Sequence, residues 1–286
     1  MPEGDTLFRT ATTLRKALLD KTVTRFESSV PAVSVVDDRM PVAGRTISAV
    51  EARGKHLLIS FSTPTPGDAP EPPTSNPQPL APDLILHTHL RMTGSWHVYR
   101  PGERWQKPER YAKVVIHTDT FVAPCFSAPV VELLTEWQAQ RHTDLQELGP
   151  DAMTVEFDAE EAKQRILRRP EVEIGVALMN QRLMAGVGNV YKSEVLFMLR
   201  VSPFAKVGEL GEDKVEQLVA ESHRLLRLNQ NRGSRRTVFG LSDRDRLWAY
   251  GRSGEPCRVC GETIRMRRQG LDARSTYYCP RCQQTG

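Results

Sequence analysis

Hydrophobic residues recur along the first part of the chain at two different spacings. Leu7, Leu14 and Leu18 lie on one face of a helix, so residues 7–19 are predicted to form an amphipathic helix. The segments that follow alternate or are rich in β-branched residues between turn residues, which is typical of short strands. The six predicted strands are 22–26, 46–51, 56–61, 84–90, 96–99 and 113–117. This pattern predicts an N-terminal β-sandwich or barrel-like domain that begins with a helix.

The pattern becomes helical from about residue 154. Asp158 suits a helix N-cap, with Glu161 three residues later. Helices are predicted at 158–168, 172–184, 189–199 and 212–229, with proline or glycine between them. From Trp248 onward, short aromatic runs between glycines and cysteines predict a small ribbon.

These patterns predict an α+β chain of three domains, at residues 1–140, 145–245 and 248–286. Residues 63–83 interrupt the first domain with eight prolines among Gly, Ser and Asn. Such a composition does not bury enough apolar surface to fold, so this segment is predicted to be a disordered insertion.

Four of the five cysteines form two Cys-x2-Cys pairs, Cys257/Cys260 and Cys279/Cys282, with eighteen residues between the pairs. Two tight turns at this spacing offer four thiolates to one zinc ion and fill its coordination sphere. We therefore predict one structural Zn²⁺. The alternative, disulfide pairing, is disfavoured in a cytosolic chain. Cys125 is predicted to be a small core residue.

The zinc-binding ribbon has too small a core to fold alone, so the metal is expected to supply much of its folding free energy. It presents the segment 264–278, which carries Arg265, Arg267, Arg268 and Arg274. An arginine can donate two hydrogen bonds to one phosphate, so this segment is a candidate contact for nucleic acid.

Charge is distributed unevenly along the chain. The net charge is only +4, but residues 252–286 hold seven arginines, no lysine and three acidic residues. A basic tail is consistent with phosphate contact, and equally with a solvated charged surface. No apolar run is long enough to span a bilayer, and MPEGDTLFRT at the start lacks the segments of a signal peptide. We therefore expect no membrane partner and a cytoplasmic location.

The first residues carry candidate chemistry. Excision of Met1, which is expected before a residue as small as Pro2, exposes a secondary amine. An α-amino group titrates near about 7.7–8.0, so a fraction is neutral and nucleophilic at pH 7. Addition of this amine to a sugar aldehyde carbon gives an iminium, an electron sink for eliminating phosphates, and Glu3 adjoins it as an acid or base. Alone, these two residues are weak evidence, since proline at position 2 is common.

Gly186-Val-Gly-Asn189 predicts a glycine turn that leads into a helix. The free N–H groups of a helix N-terminus suit a phosphate, and the side chain of Asn189 adds a donor. A purely structural C-cap followed by an N-cap fits the same residues.

Six segments occur in one order along the chain: MPEGDT at 1–6, RGKHLL at 53–58, HLRMTGS at 89–95, GVGNVY at 186–191, YGRSGEPC at 250–257 and RSTYYCPRCQ at 274–283. Together they make the chain resemble the formamidopyrimidine-DNA glycosylase/endonuclease VIII family over nearly its whole length. The resemblance implies a β-sandwich, a helix–two-turn–helix domain and a β-hairpin zinc finger, with double-stranded DNA held between the two halves. We expect a monomer associated with the nucleoid.

The resemblance also implies a bifunctional DNA glycosylase and AP lyase of base excision repair. Pro2 would be the Schiff-base nucleophile at the deoxyribose anomeric carbon, and Glu3 the acid that helps open the sugar. Lys55 would contact phosphate and serve in β-elimination, although a lysine in a strand turn is otherwise a solvated charge. Arg274 would bind the phosphates that flank the lesion and serve in δ-elimination.

Further DNA contacts follow from the same resemblance. His89 and Asn189 would contact phosphate. Met92, with Leu90 and Arg91 beside it, matches the loop that fills the space left by an extruded nucleotide, and an apolar side chain suits that task. A buried strand residue is the alternative for Met92.

The sequence departs from the formamidopyrimidine branch in two places. Thr6 stands where that branch has a second glutamate, and residues 121–129 lack its Arg-Arg-Phe-Gly-type loop. Residues 229–245 are also short for a loop that folds over an oxidised purine. We therefore expect the endonuclease VIII branch and oxidised pyrimidine substrates. The alternatives are a non-catalytic protein that binds damaged or abasic DNA, and a zinc ribbon that contacts other proteins.

Overall fold

The computed structural model describes residues 2–63, 82–239 and 246–284. Residues 64–81 of the predicted disordered insertion lie outside the described residues. The chain forms two compact units. The N-terminal unit holds Pro2 and residues 7–146, and the C-terminal unit holds residues 3–6 and 147–286. The finer division into three domains stays a prediction.

The N-terminal unit consists of two antiparallel sheets with helices at their edges. Its elements are α1 (Gly4–Leu18), β1 (Arg25–Ser28), α2 (Pro31–Arg39), β2 (Thr46–Arg53), β3 (His56–Ser62), β4 (Leu84–His89), β5 (Ser95–Trp96), a 3₁₀ turn (Glu109–Tyr111), β6 (Ala112–His117), β7 (Val122–Phe126), β8 (Val130–Thr135), α3 (Glu136–Ala139) and α4 (Thr143–Gln146). The sheets have the strand orders β1-β6-β7-β5 and β2-β3-β4-β8.

Both sheets and α1 contribute to one hydrophobic core. The predicted helix face is confirmed, because Leu7, Leu14 and Leu18 are at most 1% exposed. All six predicted strands are present, with bounds shifted by a few residues. The helix begins earlier than predicted, at Gly4, whose N–H donates to the carbonyl of Gly186 at 2.9 Å.

Six elements of this unit were not predicted: α2, the 3₁₀ turn, β7, β8, α3 and α4. β7 is buried at every position, so its sequence shows no alternation of polar and apolar residues. β8 directly follows it after a short turn. In α2 the valines disfavour a helix, and burial of Val33 in the core outweighs this preference.

The C-terminal unit is mainly helical and ends in a hairpin. Its elements are α5 (Ala159–Leu167), α6 (Ile174–Ala177), α7 (Asn189–Met198), α8 (Val207–Leu210), α9 (Glu212–Asn229), β9 (Arg265–Gln269) and β10 (Arg274–Tyr278). The Asp158 carboxylate caps α5 by accepting the Glu161 N–H at 2.8 Å, as predicted. The α+β architecture predicted from the sequence is confirmed.

One predicted helix, 172–184, is wrong beyond its first turn, because the chain leaves α6 after Ala177. Side chains bind the backbone of the turns that follow. The Asn180 side chain accepts the Arg182 N–H at 3.0 Å, and Gln181 donates to the carbonyl of Val187 at 2.9 Å. Such local bonds compete with helical hydrogen bonds, and they shape the loop that leads to α7.

In the described part of the chain, no helix is both long and apolar enough to cross a bilayer.

Candidate active site and zinc centre

The four predicted zinc ligands come together. The Sγ atoms of Cys257 and Cys282 are 3.9 Å apart, those of Cys260 and Cys279 are 3.5 Å apart, and all four lie within 4.8 Å of one another. Four thiolates around zinc, at bonds of about 2.3 Å, would lie about 3.8 Å apart. Disulfide bonding would require about 2.05 Å. The cysteines therefore form one structural zinc site with no position left for substrate.

The hairpin that the zinc site supports packs against α7. The Asn189 side-chain amide donates to the carbonyl of Ser275 at 2.6 Å, and the Lys192 amine donates to the Thr276 hydroxyl at 2.7 Å. Gly175 leaves space for Gln269, since a Cβ there would lie 2.5 Å from the Gln269 Oε1. The hairpin, and with it Arg274, is thus fixed on the helix.

The arginines of β9 are exposed, as the sequence predicts for a phosphate-binding surface. The Arg267 guanidinium lies 4.8 Å from the ring centroid of Phe204. The Arg268 guanidinium donates to the carbonyl of Ala273 at 3.0 Å. Arg274, at the start of β10, lies 3.4 Å from the Asp272 carboxylate and is about half-exposed. These contacts hold the arginine side chains without burying their charge.

Glu3 is fully buried at the N-terminus of α7. Its carboxylate accepts the Val190 N–H at 2.8 Å and the Tyr191 N–H at 3.4 Å. Gly188 makes this approach possible, since a Cβ there would lie 2.4 Å from the Glu3 Cδ. Both N–H groups hold the carboxylate in one orientation at the start of the helix.

This arrangement corrects one expectation. The helix N-terminus was expected to offer free N–H groups to a phosphate, but Glu3 occupies those of Val190 and Tyr191. Asn189 is the first residue of α7, and its side-chain oxygen is buried with no hydrogen-bond partner in the described part of the chain. Its role as a DNA contact stays a prediction.

Sequence reasoning missed Lys192, which is 1% exposed. Burial lowers the pKa of Lys192 to about 7; the Glu3 carboxylate acts against this shift and Arg274 adds to it. Lys192 lies one helical turn after Asn189, and this spacing places both side chains on the same face of α7. Nothing in the sequence marked that face as buried against the hairpin.

Arg235 was also missed. Its guanidinium binds both oxygens of Asp5, at 2.7 and 2.9 Å, and donates to the Thr6 hydroxyl at 2.8 Å. Its charge lies 5.5 Å from the ring centroid of Tyr191. The Thr6 hydroxyl therefore accepts a hydrogen bond from a half-buried cation.

The remaining predicted residues belong to the N-terminal unit. Lys55, in the turn between β2 and β3, is 8% exposed, so the alternative of a solvated charge is wrong. His89 ends β4, and burial lowers its pKa to about 4, with Lys55 and Arg91 adding to the shift. His89 is therefore neutral at pH 7 and can contact a phosphate as an N–H donor.

Met92 lies in the turn after β4 and is 66% exposed, so the alternative of a buried strand residue is wrong. Arg91 adopts a left-handed backbone with φ 43°, and Leu90 is buried. A Cβ at Gly94 would lie 2.7 Å from the Leu90 backbone. The turn is thus tight, and it projects Met92 into solvent.

The predicted site residues are grouped as follows. Glu3, Asn189 and Arg274 belong to one unit, together with Lys192 and Arg235, which were not predicted. Lys55, His89, Arg91 and Met92 belong to the other. Pro2 is half-buried and directly precedes Glu3. Cys125 is a buried core residue, and burial raises the pKa of its thiol, as expected of an unreactive cysteine.

Three family models match the chain: "Formamidopyrimidine-DNA glycosylase N-terminal domain" over residues 1–129, "Formamidopyrimidine-DNA glycosylase H2TH domain" over 148–238, and "Zinc finger found in FPG and IleRS" over 254–285. The fold and the cysteine site thus define a zinc-finger protein of the DNA-glycosylase class. The chain belongs to the formamidopyrimidine-DNA glycosylase/endonuclease VIII family.

Similar proteins place the chain within this family. "Probable endonuclease 8 2" of Streptomyces coelicolor is 39% identical over 99% of this chain and 94% of its own length. "DNA-(apurinic or apyrimidinic site) lyase Nei2" of Mycolicibacterium smegmatis is 35% identical over 99% of both chains. The expected proximity to the endonuclease VIII branch is confirmed.

A solved structure of the Lactococcus lactis formamidopyrimidine-DNA glycosylase, bound to DNA that contains an abasic site, has the same fold. It superposes with a TM-score of 0.77 at 22% identity, over 99% of this chain and 100% of that protein.

Proposed function

We propose that this protein is a bifunctional DNA glycosylase and AP lyase of base excision repair, which removes oxidised pyrimidines from double-stranded DNA. The observation that carries this proposal is the placement of Glu3. A carboxylate that directly follows Pro2 is fully buried and held by backbone N–H groups at a helix N-terminus. Such a carboxylate is preorganised to exchange protons beside the chain's terminal amine.

In the proposed reaction, removal of Met1 leaves Pro2 with a secondary amine. Its nitrogen bonds to the anomeric carbon of the deoxyribose, while the damaged base leaves with the electron pair of the glycosidic bond. Glu3 accepts the N–H proton of this adduct and passes it to the ring oxygen. The bond between the anomeric carbon and the ring oxygen then breaks, which opens the sugar and gives an iminium cation. Proline is suited to this step because its secondary amine can form only the cationic adduct.

The iminium draws electrons from the sugar and allows the strand to be cut. Loss of a proton from the neighbouring carbon expels the 3′ phosphate in β-elimination, and a second elimination expels the 5′ phosphate. We assign Lys55 to the first step and Arg274 to the second, because both occupy the family's motif positions. The neutral His89 would donate an N–H to a phosphate oxygen.

A preference for pyrimidines is supported by the residues around Thr6. Thr6 stands at the position of the second glutamate of the formamidopyrimidine branch, so this proton donor is missing, and Thr6 instead accepts a hydrogen bond from Arg235, which also binds Asp5. β7 and β8 are joined by only three residues, 127–129, which leaves no room for the Arg-Arg-Phe-Gly-type loop. The similar proteins named above are an endonuclease 8 and an AP lyase.

We propose that Asn189, Arg274 and the exposed arginines of β9 contact DNA phosphates, and that Met92, next to Arg91, fills the space of the extruded nucleotide. Replacing one of these arginines by alanine should reduce the slope of log K against log salt concentration by about 0.9. We further propose that the protein acts as a monomer in the cytoplasm, on the nucleoid.

Borohydride trapping tests the proposal. The native chain should form a covalent adduct with duplex DNA that carries 5-hydroxyuracil, and a weaker adduct with 8-oxoguanine. An abasic site should give an adduct without any base excision. The double variant Pro2→Gly, Glu3→Gln should form none.

Two controls make the result specific. A chain with one extra residue before Pro2 keeps every side chain but removes the proline amine, and it should also form no adduct. If the native chain forms no adduct on any of the three substrates yet binds abasic DNA, the protein is a non-catalytic DNA-binding protein.

A further inference from the structure

A cluster of histidines around one carboxylate lies in the N-terminal unit, apart from the cysteine site. His87 on β4 is directly opposite Glu132 on β8 in the antiparallel register. His142, in the turn after α3, reaches the same carboxylate. Two histidines from separate chain segments, His87 and His142, therefore both contact one atom, the Oε2 of Glu132.

We propose that His87, Glu132 and His142 form a second metal site, which binds a divalent transition-metal ion such as zinc. Imidazole and carboxylate are ligands that zinc accepts in sites with two histidines and one glutamate. This site goes beyond the proposed repair reaction and does not depend on it.

The distances fit a site that closes around an ion. The His87 Nδ1 lies 2.8 Å from the Glu132 Oε2, the His142 Nε2 lies 3.0 Å from it, and all three ligand atoms lie within 4.8 Å of one another. Ligands bonded to zinc at about 2.0–2.1 Å in a tetrahedron are about 3.3 Å apart. The two distances from the imidazole nitrogens to the carboxylate oxygen therefore need to lengthen by only about 0.3–0.5 Å on binding.

Contacts with His56 orient the ring of the proposed ligand His87. The His87 Nε2 lies 2.8 Å from the His56 Nδ1, and the two rings stack with centroids 5.0 Å apart. If the His87 Nδ1 binds the ion, its Nε2 carries the proton and donates to His56. A ligating histidine usually donates its other N–H in this way, which fixes both its tautomer and its ring orientation.

Two of the three proposed ligands, Glu132 and His142, are accessible to solvent. The side chains of Glu132 and His142 are 40% and 20% exposed, whereas that of His87 is 1% exposed. A shallow cavity of about 580 Å³ is lined by His142 and Asp144, among others. Three protein ligands leave a fourth position for water. The His142 Nδ1 is buried and has no hydrogen-bond partner among the described residues.

Another histidine of the same unit provides a comparison. The His117 Nε2 lies 2.7 Å from the Glu27 carboxylate, but among the described residues no third ligand joins this pair. An ordinary histidine–glutamate hydrogen bond therefore exists nearby at the same distance. What distinguishes the proposed site is the second imidazole on the same oxygen.

Metal content of the full-length protein tests the proposal. Protein with its cysteine site filled is dialysed against excess zinc, then against metal-free buffer, and zinc per chain is measured by plasma mass spectrometry. The wild type should retain two ions. His142→Gln and Glu132→Gln should each retain one, and the matched control His117→Gln should retain two.

X-ray absorption at the zinc edge gives an independent result. The wild type loaded with two ions should show nitrogen and oxygen neighbours in addition to sulfur, and the two site variants should show sulfur alone. The proposal is overturned if the wild type retains a single zinc after the two dialysis steps, or if the second ion persists in either variant. Far-UV circular dichroism verifies that the variants are folded.

Discussion

Gly188 is the residue on which the position of Glu3 depends most directly. Its backbone has φ −129°, which alanine adopts without strain, so Gly188→Ala perturbs the protein only through the added Cβ. That atom would lie 2.4 Å from the Glu3 Cδ and 2.7 Å from its Oε1. Ordinary contact begins near 3.4 Å, so the carboxylate must move by roughly 1 Å.

The expected effect follows from this displacement. Glu3 would lose its hydrogen bond from Val190, and a bond to a charged group is worth about 1.5–3 kcal/mol, so the free energy of unfolding should fall by about 2 kcal/mol. A shift of about 1 Å in a catalytic group can cost about 100-fold in rate. We expect base excision by Gly188→Ala to be about 100-fold slower, with zinc content unchanged.

Single-turnover excision of 5-hydroxyuracil from a duplex measures this effect. Gly233→Ala is the matched control, because within the described residues no heavy atom other than those of its chain neighbours lies within 4 Å of a Cβ at Gly233, and it should excise at the wild-type rate. Urea unfolding of both variants separates loss of chemistry from loss of fold. An excision rate for Gly188→Ala within a factor of three of the wild type would refute the assigned role of Glu3.

Three further predictions test other parts of the molecule. Burial lowers the pKa of Lys192 to about 7, against 10.5 in the unfolded chain. Between pH 7 and pH 10.5 the chain therefore takes up a proton when it unfolds, so its free energy of unfolding increases with pH in this range. This increase in the free energy of unfolding, at most about 1.4 kcal/mol per pH unit, should be absent from Lys192→Met when urea unfolding is compared at pH 7 and pH 9. If the variant shows the same pH dependence as the wild type, the amine of Lys192 is not the group responsible. Cys260→Ser should lose both the structural zinc and its affinity for DNA. If a zinc-free variant still bound DNA with the wild-type affinity, the zinc site would not be needed for DNA binding. Met92 is exposed, so Met92→Ala should change stability by less than about 0.5 kcal/mol. It should slow excision from duplex DNA more than from single strands, and equal slowing would argue against a role in extrusion.

The sequence predicted the parts of the fold that have a regular period. The Leu7, Leu14 and Leu18 face was identified because one side of α1 is buried, and the strands were identified because they alternate or are rich in β-branched residues. β7 was missed because it is buried on both faces, so it shows no alternation, and because it contains Pro124, which disfavours a strand. The predicted helix 172–184 failed because Asn180 and Gln181 bind the backbone locally, which periodicity does not detect.

The candidate site was predicted where local spacing carries the chemistry. The two cysteine pairs indicated zinc without any structural information. Partners that are distant in sequence were not predicted, since no local pattern places Glu3 at Val190 or Arg235 at Asp5. The error about α7 has the same origin: its N–H groups were expected to be free because the residue that occupies them is far away in the chain.

The central claim is that Pro2 supplies the amine that attacks the sugar. After borohydride reduction on 5-hydroxyuracil DNA, the adduct can be digested and its cross-linked peptide sequenced by mass spectrometry. We predict that the sugar remnant is attached to the nitrogen of Pro2 in a chain that lacks Met1. Attachment to Lys192, whose lowered pKa of about 7 leaves a neutral fraction of its amine, would contradict the claim. So would an adduct on a chain that retains Met1.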